Sequence, residues 1–166
     1  MIALHDFNHL PHEKALALIH PCVALPGWAD ALVRGRPYAS RDELFDTANA
    51  LTQNWDEAAL AQALSAHPRI GEKPAGSQAE AALSRQEQGA VNEGDAALAR
   101  ALREGNARYE ARFGRVFLIR AKGRSGEEIL QALHARLENS DAQEVRAALE
   151  QLREITLLRL EGVISE

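Results

Sequence analysis

The sequence predicts a helical protein, and three observations lead to that expectation. Alanine and leucine dominate while aromatic residues make up only 5% of the chain, a balance that favours helix over strand. Ser or Asn followed three residues later by Glu or Gln is a capping-box signature of a helix start. It recurs at Ser40/Glu43, Asn54/Glu57, Ser77/Glu80, Ser84/Glu87, Ser125/Glu128 and Ser140/Gln143. Near the C-terminus Val145, Ala148, Leu149, Leu152 and Ile155 keep the i, i+3, i+4, i+7 spacing of one buried helix face.

In chain order these signals predict helices over 11–20, 28–34, 41–53, 55–66, 78–90, 95–113, 126–138 and 141–161. The third, fourth, fifth, seventh and eighth each follow one of the capping signals. The fourth stops at His67-Pro68, because proline lacks an amide hydrogen and disfavours helix for the residue before it. Residues 71–77, Gly-Glu-Lys-Pro-Ala-Gly-Ser, read as a loop, as do Ala121-Lys122-Gly123-Arg124-Ser125-Gly126. Val116-Phe117-Leu118-Ile119 is an apolar run too short to assign to helix or strand.

The chain has 166 residues, 46% of them hydrophobic, which suits one soluble domain with a real core. No internal repeat, low-complexity tract or interdomain linker interrupts it. The net charge is -5 with both signs interspersed. Without a basic stripe or arginine-rich arm, nucleic acid is not an expected partner. Cys22 is the only cysteine, so no intrachain disulfide forms, in keeping with a reducing compartment; the residue reads as a small buried side chain. The N-terminus lacks a basic region followed by an apolar one. No apolar run approaches the ~20 residues of a membrane span. A cytoplasmic protein without membrane contact is the expectation.

Among residues able to carry chemistry, His67 stands out. Histidine accepts and donates protons near neutral pH, with an unperturbed pKa of about 6.5. At a helix C-terminus the macrodipole favours its imidazolium form, which suits a general acid; a histidine there can equally cap the last carbonyls. Glu87 fits as the partner of a Ser84 capping box, and the same helix start would present free amides to an anion. Arg159 falls on the apolar stripe of the last helix, four positions after Ile155. A guanidinium there needs a substrate carboxylate or a protein carboxylate, unless its stem carries the charge outward. The glycine-containing loop after Ile119 can offer backbone amides to a ligand, but no phosphate-binding glycine pattern accompanies it. His5, His9 and His12 lack any His-Glu-x-x-His or Cys-x-x-Cys element, so a surface role is favoured over a metal. No Gly-x-Ser-x-Gly elbow supports serine-hydrolase chemistry.

Three separated blocks then coincide. They are Ala66-His67-Pro68-Arg69-Ile70-Gly71, Ser84-Arg85-Gln86-Glu87-Gln88, and the run from Asn106-Ala107-Arg108-Tyr109-Glu110 through Phe113-Gly114-Arg115-Val116-Phe117-Leu118-Ile119. Together they resemble the 2-oxo-4-hydroxy-4-carboxy-5-ureidoimidazoline (OHCU) decarboxylase family of urate breakdown. Trp28 followed by Arg36-Pro37-Tyr38, and Leu158-Arg159-Leu160, resemble further elements of that family, so the likeness spans nearly the whole chain. Tyr38 stands where Phe is common there, Arg69-Ile70-Gly71 replaces Asp-Leu-Ala, and Gly105-Asn106 replaces Leu-Asn.

The resemblance implies an all-α fold, a compact single-domain bundle of about eight helices over 1–166. It also implies a homodimer, no cofactor and no metal, and conversion of OHCU to (S)-allantoin with release of CO2. Carried over residue by residue, it makes His67 the catalytic acid/base with Glu87 beside it. Pro68, Ser84, Arg85, Gln86, Glu87, Gln88, Ile119, Arg120, Ala121, Lys122 and Gly123 would line the substrate site, with Arg159 as an added contact. Two alternatives stand beside this expectation: a non-catalytic all-α interaction module, and a lyase acting on a related ureido-imidazoline substrate.

Overall fold

In the computed structural model the described residues are 1–67, 69–70, 83, 87 and 95–166. They contain eight α-helices: α1 (Leu4–His9), α2 (His12–Ile19), α3 (Pro26–Arg34), α4 (Arg41–Thr52), α5 (Glu57–Leu64), α6 (Ala96–Phe113), α7 (Gly126–Arg136) and α8 (Asp141–Glu161). The fold is all-α, as the composition and capping signals predict. The expected helix over 78–90 lies outside the described residues except at Leu83 and Glu87, both of which are helical. The Ser77/Glu80 signal and the loop at 71–77 also lie outside them.

Helix starts follow local chemistry. Ser125 and Glu128 form a reciprocal capping box at α7. At α8 the Gln143 amide donates to the Ser140 hydroxyl, and the Ser140 amide to the Gln143 side chain. Ser40 accepts the Glu43 amide at α4, while the Glu43 carboxylate reaches back to the amide of Ala39 instead of Ser40. At α5 the expected Asn54/Glu57 box gives way to Asp56, whose carboxylate accepts the Ala59 amide at 2.9 Å. Asp56 immediately precedes the helix, so its oxygen is placed to reach the free amide three residues on.

The chain divides into two compact units, 1–63 with 153–166, and 64–152. The first unit is centred on Phe7, Ile19, Leu32, Leu44, Leu60 and Leu160, all fully buried. A short parallel pair of strands, β1 (Ile2–Ala3) and β2 (Ile164–Ser165), joins the two ends of the chain in the register Ile2–Ile164. Arg36 donates to the carbonyls of Phe7, Leu10 and Val33, and the Trp28 indole donates to that of Ala48. Cys22 is buried, as its side chain leads one to expect.

Tyr38, in place of the family's Phe, is 5% exposed and donates to the Leu32 carbonyl at 2.5 Å. Burial first, with the nearby Glu43 charge adding and Arg36 opposing, pushes its phenol up to about 12.

In the second unit α6 packs on α7 around Leu98, Leu102, Tyr109, Ile129 and Leu133. Gly105 explains its own departure from the family pattern, since a Cβ there would stand 2.4 Å from Leu133 Cδ2. A larger side chain there would require the buried Leu133 side chain to shift. Val116–Ile119 is neither helix nor strand.

The Tyr38 phenol gives the fold an alkaline limit. A raised folded pKa means that the native state keeps the proton while the unfolded chain, titrating near ~10, loses it. Its contribution is whole below that unfolded value and is lost as pH rises toward about 12. The urea midpoint should fall above pH ~10, and Tyr38→Phe should make that fall shallower.

Candidate active site

His67 lies three residues beyond α5. Its backbone amide donates to the Leu64 carbonyl at 3.1 Å, closing one tighter turn before the chain leaves the helix. The helix end is therefore capped by the main chain of His67. The side chain is half-buried, and its Nε2 is shielded from solvent.

The residues that follow are held by α6. Ile70, itself buried, has its carbonyl bound by the Asn106 side-chain amide at 3.0 Å. Arg69 makes a forked pair with Glu110, with contacts of 2.8 to 3.1 Å. Asn106 and Glu110 are one turn apart and share a helix face. Asparagine is a poor residue inside a helix; here its 4% exposed side chain anchors the strand of chain leaving His67.

Glu87 is helical and half-buried. It belongs, like His67, to the unit formed by 64–152. Pro68, Ser84, Arg85, Gln86 and Gln88 lie outside the described residues.

The segment Ile119–Gly123 is clamped from several sides. The Arg136 guanidinium donates to the Leu118 carbonyl at 2.5 Å. The Arg120 amide donates to Gln151 Oε1 at 2.9 Å, and Arg124 Nε donates to the Arg120 carbonyl at 2.8 Å. The Arg124 amide then closes a turn onto Ala121, with Gly123 at φ +82°. A residue with a Cβ would be strained there. Ile119 and Ala121 are buried, Arg120 half-buried, and Lys122 and Gly123 exposed. The expectation that this loop offers its amides to a ligand holds for fewer groups than its length suggests, because Arg120 has already committed its own.

Behind the loop sits a buried ionic network. Glu144 is fully buried, and its carboxylate accepts from Tyr109, Arg136 and Asn139. Arg136 also lies over the Phe117 ring, 4.6 Å from its centroid. Burial, reinforced by the bond to Glu144 and opposed by the Arg136 charge, holds the Tyr109 phenol well above its ordinary range. Sequence reasoning missed Glu144, Arg136 and Gln151 as contributors. The signal for Glu144 was its place one residue before Val145, on the rim of the apolar stripe, where an acid is unexpected.

Arg159 is 3% exposed and donates to the Pro21 carbonyl at 3.3 Å. Its stem does not carry the charge outward, which removes that alternative. It belongs to the unit of 1–63 and 153–166. His5, His9 and His12 are exposed; His9 Nδ1 lies 2.7 Å from the His5 carbonyl, and His12 3.5 Å from Asp30. Among the described residues no group of three or more metal-ligating side chains converges.

A family model described as OHCU decarboxylase matches residues 8–161. The 2-oxo-4-hydroxy-4-carboxy-5-ureidoimidazoline decarboxylase of Amia calva is 34% identical over 167 residues, 97% of this chain and 94% of that protein. The uric acid degradation bifunctional protein TTL of Arabidopsis thaliana is 37% identical over 134 residues, covering 78% of this chain and 39% of that longer protein. A crystal structure of OHCU decarboxylase in the presence of (S)-allantoin matches with a TM-score of 0.72 at 27% identity, over 88% of this chain and 96% of that one.

With the all-α fold, these matches define a carboxy-lyase, which sets aside the non-catalytic module. The chain belongs to the OHCU decarboxylase family, the family that its His67, Ser84–Gln88 and Asn106–Ile119 blocks resemble.

Glu144→Ala would leave the Arg136 guanidinium buried without its carboxylate, a change that typically costs about 3–5 kcal/mol. Urea unfolding followed by helical circular dichroism should show a loss of that size. A loss under ~1 kcal/mol, the worth of a surface pair, would mean that the network is not what holds these helices.

Proposed function

We propose that this protein decarboxylates OHCU to (S)-allantoin and CO2 in urate degradation, with His67 managing the protons. The observation that carries this reading is the family match across residues 8–161, which spans both compact units. For that reason 1–166 is proposed to work as one catalytic domain. A homodimeric assembly and a cytoplasmic location are proposed with it, on family likeness.

The substrate's chemistry explains why a small set of residues is enough. The carboxylate to be lost sits on a carbon next to a ring C=N bond, so the ring accepts the electron pair as CO2 leaves. Carbanion stabilisation is the usual service of pyridoxal phosphate or thiamine diphosphate, and this substrate supplies its own. The protein must orient the ring, let the carboxylate depart, and protonate one face of the enol-like intermediate. The carbon that loses CO2 becomes a carbonyl as its hydroxyl proton leaves, and the proton is gained by the neighbouring ureido-bearing carbon, which is the new stereocentre.

His67 is assigned to take the substrate's hydroxyl proton and to take part in delivering a proton to the new stereocentre. A positioned acid/base contributes typically 10²–10⁴-fold, and orientation adds further acceleration. The half-buried setting of His67, with Nε2 shielded from solvent, supports this role. Glu87 is assigned to orient or polarise the imidazole, or to hold ureido N–H groups. Pro68, Ser84, Arg85, Gln86 and Gln88 are proposed to line the site, as are Ile119, Arg120, Ala121, Lys122 and Gly123, the latter group largely through backbone. Arg159 is proposed for the substrate carboxylate or a carbonyl, since a guanidinium suits planar oxygen pairs.

The test is a circular-dichroism assay of allantoin formed from freshly generated OHCU. Spontaneous decay gives racemic product, so a signed optical signal reports catalysis. His67→Ala and Glu87→Gln should each lose stereoselective formation, by about 10²-fold or more for His67, while keeping helical circular dichroism and thermal stability. Full activity in His67→Ala would sink the acid/base assignment. EDTA should leave the rate unchanged, and strong inhibition would point to a bound metal.

A further inference from the structure

The loop proposed to meet substrate through its backbone is aimed by a residue on a neighbouring helix. Residues 116–121 belong to neither helix nor sheet, so no ladder fixes the direction of their carbonyls and amides. Side chains do that work instead. Arg136 of α7 takes the Leu118 carbonyl, and Gln151 of α8 takes the Arg120 amide through Oε1 at 2.9 Å. Gln151 is half-buried and lies seven positions, two helical turns, after Glu144. The two residues therefore share a face of α8, one reaching the network behind the loop and the other the loop itself.

A trans peptide is planar, with its N–H and C=O pointing to opposite sides. The Ile119–Arg120 bond is trans, as the cis bond of the described chain is Arg36–Pro37. With the Arg120 N–H turned toward Gln151, the Ile119 carbonyl must point the other way. We propose that Gln151 is a positioning residue. By accepting the Arg120 amide it locks the Ile119–Arg120 peptide, so that the Ile119 carbonyl is presented as a hydrogen-bond acceptor to an N–H group of the ureido-imidazoline substrate. This deepens the functional reading above and rests on it.

The chemistry of the acceptor sets the test. Gln151→Glu keeps an oxygen at the same reach and still accepts the Arg120 amide. Gln151→Met keeps length and volume but offers no comparable acceptor, so the peptide can rotate. A contact made to substrate in ground state and transition state alike acts on KM. A merely structural defect lowers the active fraction and moves kcat at constant KM.

Steady-state assays on freshly generated OHCU should show KM raised about tenfold in Gln151→Met, the loss of one hydrogen bond's worth of binding. In the same variant kcat should change less than about threefold and Tm by only a few degrees. Gln151→Glu should stay within about threefold of wild type in kcat/KM, a difference below half of a tenfold step in free energy. A wild-type KM in Gln151→Met overturns the inference, and so does an equal defect in the Met and Glu variants. A wild-type protein that does not accelerate OHCU decay overturns the functional reading itself, and this inference with it.

Discussion

The carboxylate of Glu144 is the constraint on which the second unit depends. A charge removed from water is tolerated only where hydrogen bonds and an opposite charge replace its hydration. Glu144 meets that demand with a phenol from α6, a guanidinium from the end of α7 and an amide from the turn between α7 and α8. Three elements are thereby tied to one side chain of a fourth. Each donor also makes a second contact. Tyr109 packs edge-on to Phe117 at 5.2 Å, and Arg136 covers the same ring while holding the Leu118 carbonyl. The path of 116–121 is therefore a consequence of satisfying a buried acid.

Helix α6 serves both proposed sides of the site. Asn106 and Glu110 fix the two described residues after Pro68, while Tyr109 reaches Glu144 and through it the loop before Gly123. Neighbouring positions on one helix thus set the directions of two stretches far apart in sequence. The close α6–α7 approach at Gly105 brings Leu133 into the same core. A rigid helix is well suited to this work, since an error of about 1 Å in the placement of a reacting group costs heavily in rate.

What was legible in the chain was local. Ser125/Glu128 and Ser140/Gln143 act as reciprocal caps because a capping box is closed within one turn. Asn54/Glu57 failed because Asp56 lay nearer the same free amides. Helix α1, of six residues, begins after Ala3 with no side-chain cap, so it left no signature. The β1–β2 pair was invisible because its strands are two residues each and come from opposite ends of the chain. Of the candidate site, His67 was legible as a residue able to carry protons and Glu87 as the partner of a capping box, and the ordered blocks supplied the family. The supports of the site, Gln151, Arg136 and Glu144, were not found, because each acts on an atom of a distant segment.

The sequence by itself determined the helical class, most helix starts, the apolar face of α8 and the family to which the chain belongs. These depend on residue type and spacing along a few turns. Tertiary structure decided how backbone groups without secondary structure are satisfied. It showed that His67 closes its helix with its amide, that Arg159 is buried and donates to the Pro21 carbonyl, and that the Arg120 amide is taken by Gln151. Hydrogen-bond satisfaction in the interior depends on which atoms meet in space, and only the packed chain brings those atoms together.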